Sequence, residues 1–365
     1  MKIAVLFSGG VDSSVSLKLL KDQGHNITAF YLKIWLEEEL SHLGECPWRQ
    51  DLEYVEKVCE QLNVPFQVLS LQKEYWSSVV SYAINEVKNG RTPSPDLFCN
   101  QQIKFGAFFD KIDPSFEHVA TGHYAQVSPA FAQGFGGFPS GEKKINGKFL
   151  LKKAKDKVKD QTYFLSLLNQ KQLARAMFPI GNLLKSEVRV LAEKFDLATK
   201  QRKDSQGICF LGKIKYDEFL KHHLGIKKGN LIEFETRKII GEHEGFWYYT
   251  IGQRKGIGLS GGPWYVVDKD TAKNIVYISK NYFSSDKARD TFNVSNFNWI
   301  SGQKPDKNNL QVKVRHGEQF YNCELNFENE NLGIVRIDKR DQGIAPGQFA
   351  VFYDDEICLG CGVII

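Results

Sequence analysis

The chain has 365 residues, 42% hydrophobic and 25% charged, with a formal net charge of +5. At ~150 residues per domain this length predicts two or three domains. No apolar run approaches the ~20 residues of a membrane-spanning helix. The charge excess is too small to argue for nucleic acid by itself. The chain enters an apolar run at once, which predicts no signal peptide and a cytoplasmic protein.

Residues 3–7, Ile-Ala-Val-Leu-Phe, read as a strand, and Ser8-Gly9-Gly10-Val11-Asp12-Ser13-Ser14 follows. Val11, Val15 and Leu19 then share one helical face. Strand, Gly-Gly turn and helix start together form an anion cradle of backbone N–H groups at the positive end of a helix dipole. Glycine lets phosphate oxygens approach those amides. No Lys ends the loop, so it is not the G-x-x-x-x-G-K-[ST] phosphate loop. S-G-G-x-D-S resembles the pyrophosphate loop of enzymes that split ATP between the α and β phosphates. Read alone, the glycines also suit a plain turn capped by Asp12.

A helix to about residue 22 stops near Gly24, and strand 27–35 follows. Leu52, Val55, Val58, Cys59 and Leu62 recur at helical spacing; 66–71 reads as a strand and 76–87 as a helix. Strand 118–121 ends in Gly122-His123-Tyr124. This alternation predicts a parallel sheet covered on both faces, with ligands beyond the carboxyl ends of its strands.

Thr92-Pro93-Ser94-Pro95-Asp96-Leu97-Phe98-Cys99-Asn100 carries two prolines that disfavour helix. Read as a stiff loop, it presents Asp96 and Cys99 together, and Asn100 starts a helix with Lys104 one turn in. A thiol at a helix N-terminus near Lys is acidified and nucleophilic. A Pro-rich turn with a buried Cys is the alternative. Residues 134–141 form a Gly-rich insertion between strands with no nucleotide role. Eight lysines against three acids lie between Glu142 and Asp160, a patch that suits a phosphate backbone or a solvated hairpin.

Asp204-Ser205-Gln206-Gly207-Ile208-Cys209-Phe210 follows Lys200-Gln201-Arg202-Lys203, and that positive field favours a thiolate or persulfide at Cys209. Two exposed-looking cysteines and an ATP loop imply one reaction. ATP adenylates a carbonyl-type oxygen, pyrophosphate leaves into the Gly9-Gly10 cradle, and sulfur displaces AMP. One cysteine carries the sulfur and the other resolves the product by thiol–disulfide exchange. ATP pyrophosphatase action on a small metabolite and an inactive RNA-binding relic are the other readings.

Beyond about residue 206, aromatic and β-branched residues with recurrent glycine turns predict all-β modules, ending in a small barrel. Seven cysteines (46, 59, 99, 209, 323, 358, 361) are an odd number and do not suggest a disulfide scaffold. Cys358-Leu-Gly-Cys361 lies on an apolar strand, where residues three apart point to opposite faces, so buried structural thiols are expected rather than zinc ligands. No metal site is predicted.

The chain resembles the tRNA-specific 2-thiouridylase family (MnmA), within the PP-loop ATP pyrophosphatases. The resemblance runs through Phe7-Ser-Gly-Gly-Val-Asp-Ser13, Thr92 to Asn100, Ile103-Lys-Phe105 and Ala120-Thr-Gly-His-Tyr124. It continues through Lys159-Asp-Gln-Thr-Tyr-Phe164, Lys203-Asp-Ser-Gln-Gly-Ile-Cys-Phe210 and Tyr249-Thr-Ile-Gly-Gln-Arg-Lys-Gly256. It implies an α/β protein: a parallel-sheet ATP pyrophosphatase domain (1–205), a small mostly-β central domain (206–280) and a C-terminal β-barrel (281–365).

The implied activity is 2-thiolation of the wobble uridine in the tRNAs for Lys, Glu and Gln, read at the anticodon stem-loop. ATP, with Mg2+, would be surrounded by Leu6, Phe7, Ser8, Gly9, Gly10, Val11, Asp12, Ser13, Leu32 and Gly122. Cys209 would carry a persulfide loaded by a sulfur-relay protein, Cys99 would resolve it through a Cys99–Cys209 disulfide, and Asp96 would be the general acid/base. Ser94, Pro95 and Asp96 would meet the target base. Lys159, Asp160, Gln161, Arg315 and His316 would touch tRNA. Ser94 departs from a usual Asn, His316 from a common Tyr and Gln206 from a frequent Thr, and the 129–148 insertion is longer than the family pattern.

Overall fold

The structure, a computed structural model, describes residues 1–34, 48–129, 149–203, 216–284, 286 and 289–365. Cys46, the Gly-rich insertion, the motif at 204–210 with Cys209, and the expected boundary at 205/206 lie outside the described residues.

Strand β1 (Lys2–Leu6) is buried from Ile3 onward, as an unbroken apolar run requires when a parallel sheet is covered on both faces. It is the centre of a five-stranded sheet of order β3-β2-β1-β4-β7. It pairs with β2 (Asn26–Lys33) and β4 (His118–Ala120), which pair in turn with β3 (Phe66–Ser70) and β7 (Ala176–Met177), and every pairing is parallel. The order reverses direction at β1, so the crevice between the ends of β1 and β4 is the topological switch point. Helices α1 (Val11–Asp22) and α2 (Trp48–Leu62) cover one face through Val15, Leu20, Val55 and Val58. A helix at 72–88 (α3) and another at 95–111 (α4) cover the other through Val79, Leu97, Ile103 and Phe108.

Helix α4 corrects the sequence reading. Proline is tolerated at the first helical turn, and Pro95 opens the helix instead of excluding it. The chain runs on without a break through a π-helical stretch, Cys99–Ala107, into Phe108–Lys111. A Cβ on Gly106 would sit 2.8 Å from the Gln101 carbonyl, so glycine accommodates this wide turn. Cys99 is therefore inside a helix, not at the start of one. It is 3% exposed beneath the apolar face, against the expectation of an exposed thiol.

Further elements of the first domain are the turns α5 (Thr162–Leu165) and α6 (Gln170–Leu173) and helix α7 (Lys185–Lys194). Helix α8 (Tyr216–Leu224) departs from the all-β expectation beyond residue 206. Tyr216, Phe219, Leu220 and His223 have helical spacing, and Phe219 and Leu220 are buried in the core shared with α3 and α4. The central sheet has the order β10-β11-β8-β9, from β8 (Gly229–Glu233), β9 (Ile239–His243), β10 (Tyr265–Asp270) and β11 (Ile275–Ser279).

The last domain is a closed barrel of order β12-β15-β14-β13-β16-β17, sealed where β12 (Arg289–Trp299) pairs with β17 (Ile357–Ile364). The others are β13 (Asn309–Lys313), β14 (Tyr321–Phe327), β15 (Leu332–Asp341) and β16 (Phe349–Asp354). A hairpin of the first domain, β5 (Gln126–Pro129) and β6 (Phe149–Lys152), extends this sheet by pairing Leu151 with Cys358. Cys358 and Cys361 are buried, 1% and 0% exposed, as expected, but they share one face. Phe352 pairs with Gly360 and Tyr353 with Cys358, so Leu359 is an extra residue that resets the alternation. Leu359 packs toward the barrel core while both thiols face the first domain. Burial pushes the Cys361 thiol up to about 12. No described helix is long and apolar enough to cross a membrane.

Candidate active site

The loop after β1 is organised by its own hydroxyls. Ser13 and Ser14 donate to the Gly10 carbonyl at 3.0 and 2.8 Å, and Ser8 Oγ lies 3.3 Å from Ser13 Oγ. Gly9 has φ +73°, and a Cβ there would fall 2.7 Å from the Asp51 carbonyl. The backbone turn thus needs glycine both for its conformation and for its packing. Gly122, after β4, lies so close to the start of α1 that a Cβ would approach Ser13 N to 2.9 Å. The two strand ends expected to surround a nucleotide therefore meet. Leu32, near the end of β2, packs half-buried against the core beside them.

Asp12 is the carboxylate of this cradle. Tyr124 Oη donates to it at 2.9 Å, and Lys185 Nζ reaches both oxygens at 2.7 and 2.8 Å. Sequence reasoning missed Lys185. The signal was a cation at the first position of a helix, against the dipole, which calls for a nearby acid. Asp12 supplies it, and Asp156 accepts the Lys185 backbone N–H at 2.8 Å. Arg202 was also missed as a site residue. Its Nη1 donates to the Gly9 carbonyl at 2.7 Å, its other arm pairs with Asp51, and its guanidinium lies over Tyr54.

The turn after Cys99 is fixed by polar groups. Lys104 Nζ donates to Asn100 Oδ1 at 2.9 Å, and Asn100 Nδ2 donates to the Phe164 carbonyl at 3.0 Å. Burial, and then the Lys104 charge, hold His123 well below its ordinary range. His123 lies 2.7 Å from the Thr121 hydroxyl, next to Gly122. Ser94 N–H points at the Tyr82 hydroxyl at 3.4 Å, and burial pushes that phenol up to about 12. Pro95 is buried, and Asp96 is half-buried.

The barrel adds His316 to the same face. Its ring stacks on Phe164 with centroids 4.4 Å apart, and Asp96 is close enough to act on its charge. Burial, then Lys313, lower its pKa. Arg315 is held by Asp341 through two bonds of 2.9 and 2.7 Å. Lys159 is exposed, and Gln161 Oε1 accepts Tyr124 N–H at 2.9 Å. Asp160 is turned inward: it accepts from Ala154 N and Thr162 Oγ1 and pairs with buried Lys313 at 3.7 Å. Of the basic patch, Lys153 lies over Phe320 and Lys155 pairs with Glu187. Among the described residues no cluster of His, Cys, Asp and Glu could hold a metal ion.

The chain matches three family descriptions in series: a tRNA methyl transferase HUP domain over residues 1–213, a tRNA methyl transferase PRC-barrel domain over 217–280 and an aminomethyltransferase beta-barrel domain over 289–364. A protein of Parabacteroides distasonis named tRNA-specific 2-thiouridylase MnmA is 43% identical over 371 residues, covering 100% of this chain and 99% of that one. A Porphyromonas gingivalis protein of the same name is 43% identical over 374 residues, with the same coverage. With a nucleotide-type strand–loop–helix cradle, a central β domain and a barrel all in that order, the chain belongs to the tRNA-specific 2-thiouridylase (MnmA) family.

Proposed function

We propose that this protein is an ATP-dependent tRNA sulfurtransferase that replaces O2 of the wobble uridine in the tRNAs for Lys, Glu and Gln. The observation that carries the reading is the cradle itself: the Gly9-Gly10 turn, with Gly9 at φ +73°, and Gly122 after β4 meet at the start of α1, at the switch point of the parallel sheet. The names of the relatives support the substrate class.

The cradle fits ATP: amides of an open Gly-Gly turn at a helix start would hold the leaving pyrophosphate. Asp12, held by Lys185 and Tyr124, would fix the start of α1 under the phosphates. The target uridine leaves its stack and enters beside Ser94, Pro95 and Asp96. Asp96 takes the N3 proton, and O2 attacks the α-phosphorus as the bond to the β-phosphate oxygen breaks.

The terminal sulfur of a Cys209 persulfide, supplied by a relay protein, then attacks C2. The C2–O2 bond breaks and AMP leaves. The Cys99 thiolate attacks Cys209 Sγ, the S–S bond breaks, and sulfur stays on C2 while a Cys99–Cys209 disulfide forms for later reduction by external thiol. Lys159 and His316 would meet tRNA directly, with Arg315 and Gln161 beside them. Asp160 would act from inside by fixing their backbone.

The test is incubation with ATP, a persulfide-loaded donor, an external thiol to reduce the enzyme disulfide, and each tRNA. Equal yields of AMP, pyrophosphate and 2-thiouridine are expected. Pyrophosphate release that ignores tRNA and follows a small metabolite would contradict the reading.

A further inference from the structure

The motif Tyr249 to Gly256 has no part in the chemistry above, yet it forms a wall beside the target-base loop. It is a braced loop. Gly252 N–H donates to Val266 O at 2.8 Å, Val266 N–H returns to Gln253 O at 2.9 Å, and Gln253 Nε2 holds the Lys255 carbonyl at 3.0 Å. Two concavities flank it. One, of about 390 Å³, lies between Lys255 and Gln253 on one side and Thr92, Pro93 and Pro95 on the other, with one carboxylate, Asp217, and one further cation, Arg91, in its lining. The second, also about 390 Å³, is lined by Arg254, Gly256, Gly258, Gly262 and Trp264. No carboxylate lines the second.

Arg254 and Lys255 are exposed, and within the described residues neither side chain makes a hydrogen bond or ion pair. That sets them apart from the cations of the cradle and barrel, where Lys185, Arg202 and Arg315 are each committed to a carboxylate. Lys280 adds a third positive charge, 4.7 Å from the Trp264 ring centre. Gly258 has φ +74° and nothing within 4 Å of a would-be Cβ, so its backbone is open to a close-approaching group. Uncompensated cations on a rigid, glycine-bared loop raise the local potential where a polyanion can come near.

We propose that Arg254 and Lys255 form a phosphate clamp on the RNA strand, each neutralising a backbone phosphate on its own side of the loop. The Lys255 cleft shares Pro95 with the target-base loop, which places that phosphate next to the nucleotide being modified. The clamp rests on the tRNA reading. It holds register and carries no base preference.

The experiment measures tRNA affinity from low to moderate salt for wild type, Arg254→Gln, Lys255→Gln and the double variant, with Lys339→Gln on the barrel as control. Each clamp variant lowers the slope of log K against log salt by about 0.7–0.9, so the double variant loses roughly eightfold less affinity over a fourfold rise in salt. ATP binding and melting temperature stay at wild-type values, and Lys339→Gln retains the wild-type slope. A double variant with the wild-type slope overturns the clamp and assigns the cations to a partner other than RNA. Wild type that binds tRNA without any salt dependence overturns the tRNA reading along with it.

Discussion

The imidazole of His316 lies against the ring of Phe164 with centroids 4.4 Å apart and 28° between planes, so a barrel residue is laid over the first domain. Tyr163 meets the same imidazole edge-on at 6.3 Å. On the proposed tRNA reading, this shelf would give an extruded base a flat surface. His316→Ala should lower kcat/KM for tRNA about tenfold, the worth of one aromatic contact, while ATP affinity is unchanged. His316→Phe should recover most of the loss. Steady-state kinetics with ATP and tRNA varied separately check it.

Gly122→Ala should weaken ATP binding. The added methyl would meet Ser13 N at 2.9 Å and push α1 away from the end of β4. Overpacking of this kind costs about 1–3 kcal/mol, and the backbone that must move is the cradle itself. Calorimetric titration with a nonhydrolysable ATP analogue should show at least a fivefold weaker Kd.

The Asp160–Lys313 pair joins the first domain to the barrel with 3% and 1% of the side chains exposed. Removing one buried partner strands the other charge, at a cost of about 3–5 kcal/mol. Asp160→Ala should therefore lower stability in denaturant titration by that order. Lys313→Met combined with Asp160→Asn should cost less than Asp160→Ala alone.

Stability should fall in mild acid. Burial holds His243 below its ordinary pKa, burial and then His222 do the same for His223, and burial and then Lys313 for His316. Near and below about pH 6.5 the unfolded chain binds protons that the folded chain refuses. The contribution is present above that pH and lost as pH falls toward the folded-state values. His243 Nδ1 accepts the Gly245 N–H at 3.0 Å, which requires that nitrogen unprotonated. His243→Asn keeps an acceptor without the titration and should reduce, without abolishing, the fall in melting temperature between pH 7 and pH 5.

The cradle was legible in the sequence because its signal is local: an apolar run, two glycines and a helix face follow one another from Ile3 to Leu19. The barrel and central sheet were legible from turn spacing. Helix α4 was not, because a proline reads as a breaker unless its place in the first turn is known. Cys99 was consequently expected to be exposed. The shared face of Cys358 and Cys361 depends on a bulge that leaves no periodic trace. Lys185 escaped because its partner Asp12 lies 173 residues away, a pairing that only the folded chain creates. Cys209 lies outside the described residues, and its role is carried by sequence and family.

The central claim is that Cys99 and Cys209 act in one cycle. It is tested most directly by a single turnover with persulfidated enzyme, ATP and tRNA, quenched with an alkylating agent and mapped by nonreducing peptide mass spectrometry. The account predicts one Cys99–Cys209 disulfide per 2-thiouridine formed, and no 2-thiouridine from Cys99→Ala or Cys209→Ala although both bind tRNA. A full yield of 2-thiouridine from either variant, with both thiols of the wild type recovered reduced, would contradict it.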